Sequence, residues 1–402
     1  MNIPEEYRFI IQLGRALHKY GVPSFRIQEY LKEVASEQGI RGDFMDLPTW
    51  VNYVFYEEDD QQTYNYVRNT VPGAIDLGGL SRSVAITDQF LNNEVSVFEA
   101  RQALQQLEHR PCTYPQWVQV FTYALSSSTF VVMLQSNWIA VVVAFFVGVI
   151  IGVVALISQR SSYLNSVLES IAAFLATIMT GAAFYFFPQI NLTLNIIAAI
   201  IVFVPGLAIT TAIEEITSKS LVSGTAKLFD ALISLFKQFF GVLLGLAVLI
   251  RFVDLPSMQV ADILPPWCSW LAIPMFLMSL MPVFNVRRQD ILGGIAVGFI
   301  SFSLMLSLES AGLLVSTFLG AISVVIVSKI LKSITGAPRL VFSTLGIIML
   351  VPGSKAFIGL TTAFEVTSTA ESASNIGEQV MYILMGIIGG LIFTGAFKKT
   401  KG

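Results

Sequence analysis

Ten apolar stretches follow residue 116, near 117–135, 138–158, 165–187, 192–213, 228–250, 264–284, 290–309, 311–331, 340–361 and 379–397. Each is long enough to cross a bilayer core of roughly 30 Å. Where lipid surrounds a chain, backbone N–H and C=O groups must bond within the segment, so such stretches fold as helices. The pattern predicts a polytopic α-helical membrane protein with about ten transmembrane helices. Charge is distributed accordingly. Residues 1–116 hold 10 of the 24 Lys+Arg and 16 of the 27 Asp+Glu, leaving 14 and 11 for the other 286 residues. Only 13% of the chain is charged, against about 25% in soluble domains. Three units are expected: 1–116 as a water-facing domain, and 117–250 and 251–402 as two five-helix halves.

Within the first unit, residues 4–20 and 23–38 carry apolar residues at helical spacing, punctuated by Gly21 and Gly39. Three short runs rich in aromatic and β-branched residues follow: Asp43–Leu47, Trp50–Tyr56 and Thr63–Val67. They read as a small antiparallel sheet. Two more helices are expected at about 77–92 and 96–109, the second opened by a capping box of Ser96 and Glu99. The acidic run Glu57–Asp60 between strands reads as a solvated turn. The first unit is therefore a small α+β domain. No export signal precedes it, which predicts that it stays in the cytoplasm.

Orientation follows from loop charge, because Lys and Arg are retained on the cytoplasmic side. With the N-terminus inside, Arg160, Lys219, Lys227, Arg287, Arg288, Lys329, Lys332, Arg339, Lys398, Lys399 and Lys401 all fall in the cytoplasm, and only Arg251 falls outside. The expectation is a multi-pass protein of the plasma membrane with both termini cytoplasmic.

Val204-Pro205-Gly206 recurs as Val351-Pro352-Gly353, 147 residues on (204 to 351) and again in the fourth span of its set of five. Five is odd, so the halves are expected to be inverted. Helices broken at matching depths in an inverted repeat mark a secondary transporter's substrate site. Proline removes a backbone donor and glycine relaxes φ, which frees carbonyls before the break and N–H groups after it. Candidate substrate-binding residues are Pro205, Gly206, Thr210 and Thr211 at the first break, and Pro352, Gly353, Ser354 and Lys355 at the second. Freed N–H groups and a positive helix end suit a carboxylate. The bland alternative is that Pro-Gly only kinks two helices, with the hydroxyls bonding their own backbones.

Ionisable groups within spans are costly and usually functional. Glu169 and Asp230 sit near expected cytoplasmic ends, where they either carry a coupling proton or snorkel to the interface. Glu309 reads as an outer boundary. Lys237 and Lys355 are deeper, and one of them could form a structural ion pair with Glu169 or Asp230.

The run Val204–Glu215, followed by Val222-Ser223-Gly224-Thr225-Ala226-Lys227, resembles the threonine/serine exporter family. Its features are a VPG-containing helix, an acid nine positions after the glycine, and a small-residue segment ending in a base. By position the acid is Glu215 and the base Lys227, where the family is expected to favour Asp and Arg. Val351–Ser354 with Phe357 and Gly359 looks like the family's second half, and Leu13–Gly21 and Leu91–Leu107 look like its N-terminal domain. The resemblance implies export of threonine or serine driven by the proton motive force, with Glu215 a further coupling candidate. Related two-protein systems are associated with dicarboxylates such as succinate. Lys355 has no counterpart in the family pattern, and its charge would favour a more acidic substrate.

Competing classes are a passive channel for small polar metabolites and a membrane-embedded enzyme. H-E-x-x-H, G-x-S-x-G and P-loop motifs are absent from the sequence, which argues against hydrolysis and ATP-driven pumping. Two cysteines, Cys112 and Cys268, and two histidines, His18 and His109, lack metal-site spacing. No catalytic residue, metal or cofactor is expected. The expected partners are a small zwitterionic or anionic substrate, protons and the lipid bilayer. A homo-oligomer is allowed, and nucleic acid is not expected.

Overall fold

Helix α1 (Glu5–Lys19) buries Phe9, Ile10, Leu13, Ala16 and Leu17, the apolar stripe that its 3.6-residue period creates. Gly21, at φ +70°, reverses the chain into α2 (Ser24–Glu37). These elements belong to a computed structural model that describes residues 4–56, 63–110, 112–252, 256, 259, 263–351, 353, 357 and 370–396. Strands β1 (Arg41–Leu47), β2 (Trp50–Tyr56) and β3 (Thr63–Asn69) form an antiparallel sheet in that order, with Phe44 opposite Tyr53 and Tyr53 opposite Tyr66. The sheet turns Val51, Tyr53 and Phe55 inward. Helices α3 (Leu77–Leu91) and α4 (Val97–Glu108) complete this α+β unit. Helix α4 opens on the capping box: the Ser96 hydroxyl accepts from the Glu99 N–H, and the Glu99 carboxylate accepts from the Ser96 N–H. The acidic run Glu57–Asp60 lies outside the described residues.

The remaining helices are α5 (Gln116–Met133), α6 (Trp138–Ser158), α7 (Ser162–Phe186), α8 (Leu192–Ile200), α9 (Gly206–Thr217), α10 (Leu221–Phe252), α11 (Trp267–Val283), α12 (Ile291–Ser307), α13 (Leu313–Thr335), α14 (Arg339–Leu350) and α15 (Ala370–Ala396). Among the described residues six helices are long and apolar enough to cross a membrane, or seven if the bent pair Leu192–Phe203 and Gly206–Thr217 is one span. The fold is that of a polytopic membrane protein, mostly helical, with one small sheet near its N-terminus. Two further apolar helices, α11 and α14, fall below spanning length. In α5 the apolar run is interrupted by Ser126–Thr129, all buried, whose hydroxyls bond helix carbonyls or, for Ser126, the Ser279 hydroxyl of α11.

Small residues set the closest helix approaches. Gly241 and Gly245 of α10 face α7, where an added Cβ would meet Ser170 O at 2.3 Å and Thr177 Cβ at 2.7 Å. Gly386 and Gly390, each 145 residues on, face α13 in the same way, against Leu314 O at 2.9 Å and Phe318 O at 2.8 Å. Gly148 and Gly152 of α6 press on α5, while Gly294 and Gly298, each 146 residues on, meet Leu345 and Leu277.

The N-terminal unit docks on one end of the bundle. Ser24 at the start of α2 donates its backbone N–H to Glu215 Oε1 (2.8 Å), and its hydroxyl bonds Ser223 Oγ (2.6 Å). On the other side Asn285 Nδ2 donates to Asp76 Oδ2 (2.9 Å), the Leu77 N–H to the Phe284 carbonyl (2.9 Å) and the Tyr114 hydroxyl to the Val286 carbonyl (2.6 Å). The unit thus touches helices from both 117–250 and 251–402.

Candidate functional site

The first Val-Pro-Gly breaks its helix as proline chemistry requires. Helix α8 tightens into a 3-10 turn at Ile201–Phe203, Val204 is extended, and the chain restarts as α9 with a bend of 55°. Proline lacks the N–H that would continue the ladder. The Gly206 N–H donates instead to the Val204 carbonyl (2.8 Å), and the Phe203 carbonyl accepts from Gln238 Nε2 of α10 (2.9 Å). Helix α9 begins with no side-chain cap. The second break meets the first: a Cβ added at Gly206 would stand 2.8 Å from Gly353 Cα and 2.6 Å from Val351 Cγ1, and one added at Gly353 would stand 3.0 Å from Gly206 Cα.

A cavity of about 460 Å³ lies against both breaks, lined by Phe203–Ala208, Leu350, Val351 and Gly353. Its wall runs from Ile75 and Phe284, beside the N-terminal unit, to Glu309 beyond the far end of α12. Seventeen helical residues lie between those ends, a span of about 25 Å at 1.5 Å per residue. Apart from Glu309, Ser316 and exposed backbone, the wall is apolar.

A second cavity, of about 990 Å³, opens between α2, α9, α13 and α14. Leu207 lines both cavities, so the first turn of α9 is a partition between them. Leu207, Thr211 and Glu214 fall at i, i+4 and i+7, one face of α9 turned to the larger cavity. Arg26 of α2 approaches Glu214 Oε1 at 3.7 Å, and Arg339 at the start of α14 faces the same pair. Asp88 lines the edge, where burial pushes its carboxyl above the ordinary value against the opposing pull of the Lys332 cation.

The residues expected from sequence separate into four groups. Pro205, Gly206 and Gly353 come together at the smaller cavity. Thr210 is buried and donates to the Gly206 carbonyl (3.2 Å), whereas Thr211 donates to the Ala208 carbonyl (3.1 Å) yet lines the larger cavity. Pro352, Ser354 and Lys355 lie outside the described residues. Neither cavity is lined by Glu169, Glu215 or Asp230. Glu169 accepts from Ser234 Oγ (2.6 Å) and pairs with Lys237 (3.6 Å), one of the pairings left open between Lys237 or Lys355 and Glu169 or Asp230. Asp230 is exposed on α10. Glu215 is fully buried at the junction, held by Ser24 and Lys227, and its Oε2 has no hydrogen-bond partner.

Sequence reading missed Glu214, Arg339 and Arg26; Glu309, read as an outer boundary, lies just past the end of α12 and lines the smaller cavity. Helical period was a usable signal for Glu214, since it shares a face with Thr211 while Glu215 points elsewhere. Nothing local marks Arg26 or Arg339, which the tertiary fold brings from 188 residues before Glu214 and 125 after it. The junction holds His18, Asp46 and Ser24 within hydrogen-bond reach, but the Ser24 hydroxyl bonds Asp46 Oδ2 (2.7 Å) while His18 Nδ1 bonds Asp46 Oδ1 (2.7 Å). A hydrolytic triad needs the base on the hydroxyl. Here the carboxylate sits between them. No metal-holding group of His, Cys, Asp or Glu occurs among the described residues.

Interrupted helices beside a cavity, in a bundle of apolar helices, define a polytopic membrane protein. Two family profiles cover most of its length: "Putative threonine/serine exporter" over residues 8–249 and "Threonine/Serine exporter, ThrE" over residues 269–397. The chain belongs to the threonine/serine exporter family, a family of membrane exporters. Among curated relatives, "Pheromone-regulated membrane protein 10" of Saccharomyces cerevisiae is 25% identical over 69% of this chain and 37% of that protein. Its namesake from Candida glabrata is 24% identical over 68% of this chain and 35% of that protein. The chain therefore spans less than two fifths of the length of these relatives. No solved structure matches.

Proposed function

We propose that the protein is a secondary transporter that exports threonine or serine from the cytoplasm, driven by the proton motive force. The observation that carries this reading is the contact between Gly206 and Gly353, which joins two interrupted helices at the wall of a cavity. In an alternating-access transporter two inverted halves rock about such a centre. The repeated glycine pairs at a spacing of 145–146 residues support the same ten-helix, five-plus-five design. The N-terminal unit, with both chain ends, lies in the cytoplasm of this scheme, on the side of Lys227 in the second turn of α10, Arg287 and Lys332 in the last turn of α13. In this scheme Pro205, Gly206 and Gly353 line the substrate centre, and Thr211 lines the cavity across the Leu207 partition.

Of the coupling candidates Glu169, Glu215 and Asp230, Glu215 suits the role best. A proton on Glu215 would neutralise the acceptor that holds Ser24 and Lys227, loosening the junction between the N-terminal unit and the first half. Coupling would then follow from differential stability of two conformations.

The test is uptake of labelled threonine, serine and succinate into inverted membrane vesicles, with and without a proton gradient. Gradient-dependent accumulation of threonine or serine is expected, and Glu215→Gln should keep substrate exchange while losing gradient-driven accumulation. Accumulation of succinate alone, or equal movement without a gradient, would overturn the reading.

A further inference from the structure

Three charged side chains converge on the larger cavity from separate parts of the chain. Arg26 comes from α2 of the N-terminal unit, Glu214 from α9 and Arg339 from α14. Arg26 and Glu214 stand 3.7 Å apart, beyond hydrogen-bonding distance, so their donors and acceptors are not consumed by each other. Among the described residues neither the Glu214 carboxylate nor the Arg339 guanidinium makes a hydrogen bond or a closer ion pair. Glu214 is mostly buried, with 18% of its side chain exposed. Ionic groups at a low-dielectric wall are costly when unmatched, so this arrangement is poised for a ligand that brings the missing charges. With these three counted, the wall carries five acids and four bases, so it holds no strong net potential of either sign. That balance disfavours a dianion, which would meet Glu214 with like charge, and favours a ligand carrying one positive and one negative group.

We propose that Arg26, Glu214 and Arg339 form a recognition site for a zwitterion, shared between the N-terminal unit and the helix bundle. This rests on the transport reading and adds to it the residues that choose the substrate. Arg339 takes the ligand's carboxylate, because a guanidinium presents paired donors to it. Glu214 takes the ammonium group, and Arg26 orients Glu214 from across the interface. Thr211, Ser343 and Thr344 on the same wall supply hydroxyls toward the ligand's side chain. The adjacent partition at Leu207 then separates this site from the cavity at the paired breaks.

Isothermal titration of the purified full chain with threonine, N-acetylthreonine and succinate tests the assignment independently of transport. Wild type should bind threonine, and removal of the ammonium charge in N-acetylthreonine should weaken binding at least tenfold. Glu214→Gln should weaken threonine binding at least tenfold and leave N-acetylthreonine nearly unchanged, Arg339→Gln should weaken both, and Arg339→Lys should recover part of the loss. Arg26→Gln should show a smaller loss for threonine. Monodisperse elution in detergent verifies that each variant is folded. Unchanged threonine affinity in folded Glu214→Gln and Arg339→Gln overturns the proposal, as does a wild type that binds succinate more tightly than threonine or binds none of the three. Threonine binding that obeys this pattern without gradient-driven transport would sustain the site while refuting the transport reading.

Discussion

Gly206 is where a single atom decides most. A methyl group there would overlap both Val351 Cγ1 and the Gly353 backbone, and backbone does not yield as a flexible side chain does. Gly206→Ala is expected to spread the two breaks and to lower vesicle transport at least tenfold, while the protein still reaches the membrane because the rest of the bundle is untouched. Transport at wild-type rate would show that the contact between breaks is incidental. Gln238 acts on the same point from α10. Its amide holds the Phe203 carbonyl, and its own Oε1 is buried without a partner. Gln238→Leu, which leaves that carbonyl without its donor, should lower thermal stability by about 1–3 kcal/mol.

At the scale of the helix, α9 is sorted by its period. Thr210 and Thr211 are neighbours in sequence but about 100° apart around the axis, so one is packed and the other lines a cavity. Thr210→Val removes a hydroxyl that only bonds its own helix, and exchange of substrate should change less than twofold. Thr211→Val removes a hydroxyl from the cavity wall and should raise the KM for threonine severalfold with little effect on the maximal rate. Equal effects of the two would contradict the face assigned to α9. The same period separates Glu214 from Glu215, one turned to the cavity and the other to the junction. Length is the other property legible at this scale. Helix α10 has 32 residues, about 48 Å, which exceeds a bilayer core and lets its start reach the N-terminal unit.

Across the whole molecule, the N-terminal unit is held to both sides of the bundle, through Ser24 to Glu215 and Ser223 and through Asp76 to Asn285. Glu215→Leu would leave a buried N–H and the Lys227 ammonium without their acceptor, at a cost of about 3 kcal/mol. The expected readout is a lower melting temperature together with faster proteolysis between α4 and α5, and an unchanged melting temperature would mean that the unit is docked by its other contacts alone. Much of this architecture was legible beforehand. Hydrophobic runs, the capping box at Ser96 and strand alternation around Tyr53 act over a few residues, so the elements and their order follow from local physics. The helix break at Pro205 was legible for the same reason, since a missing N–H acts where it occurs. Which charges meet was not legible: Arg26, Glu214 and Arg339 are brought together only by packing of α2 against α9 and α14. The sequence by itself determined the apolar helices, the first break and the small sheet, because periodicity and backbone chemistry are local. Only the tertiary structure decided that the two breaks touch, that Glu215 secures a domain junction and that Glu214 faces a cavity, because burial and proximity depend on distant elements.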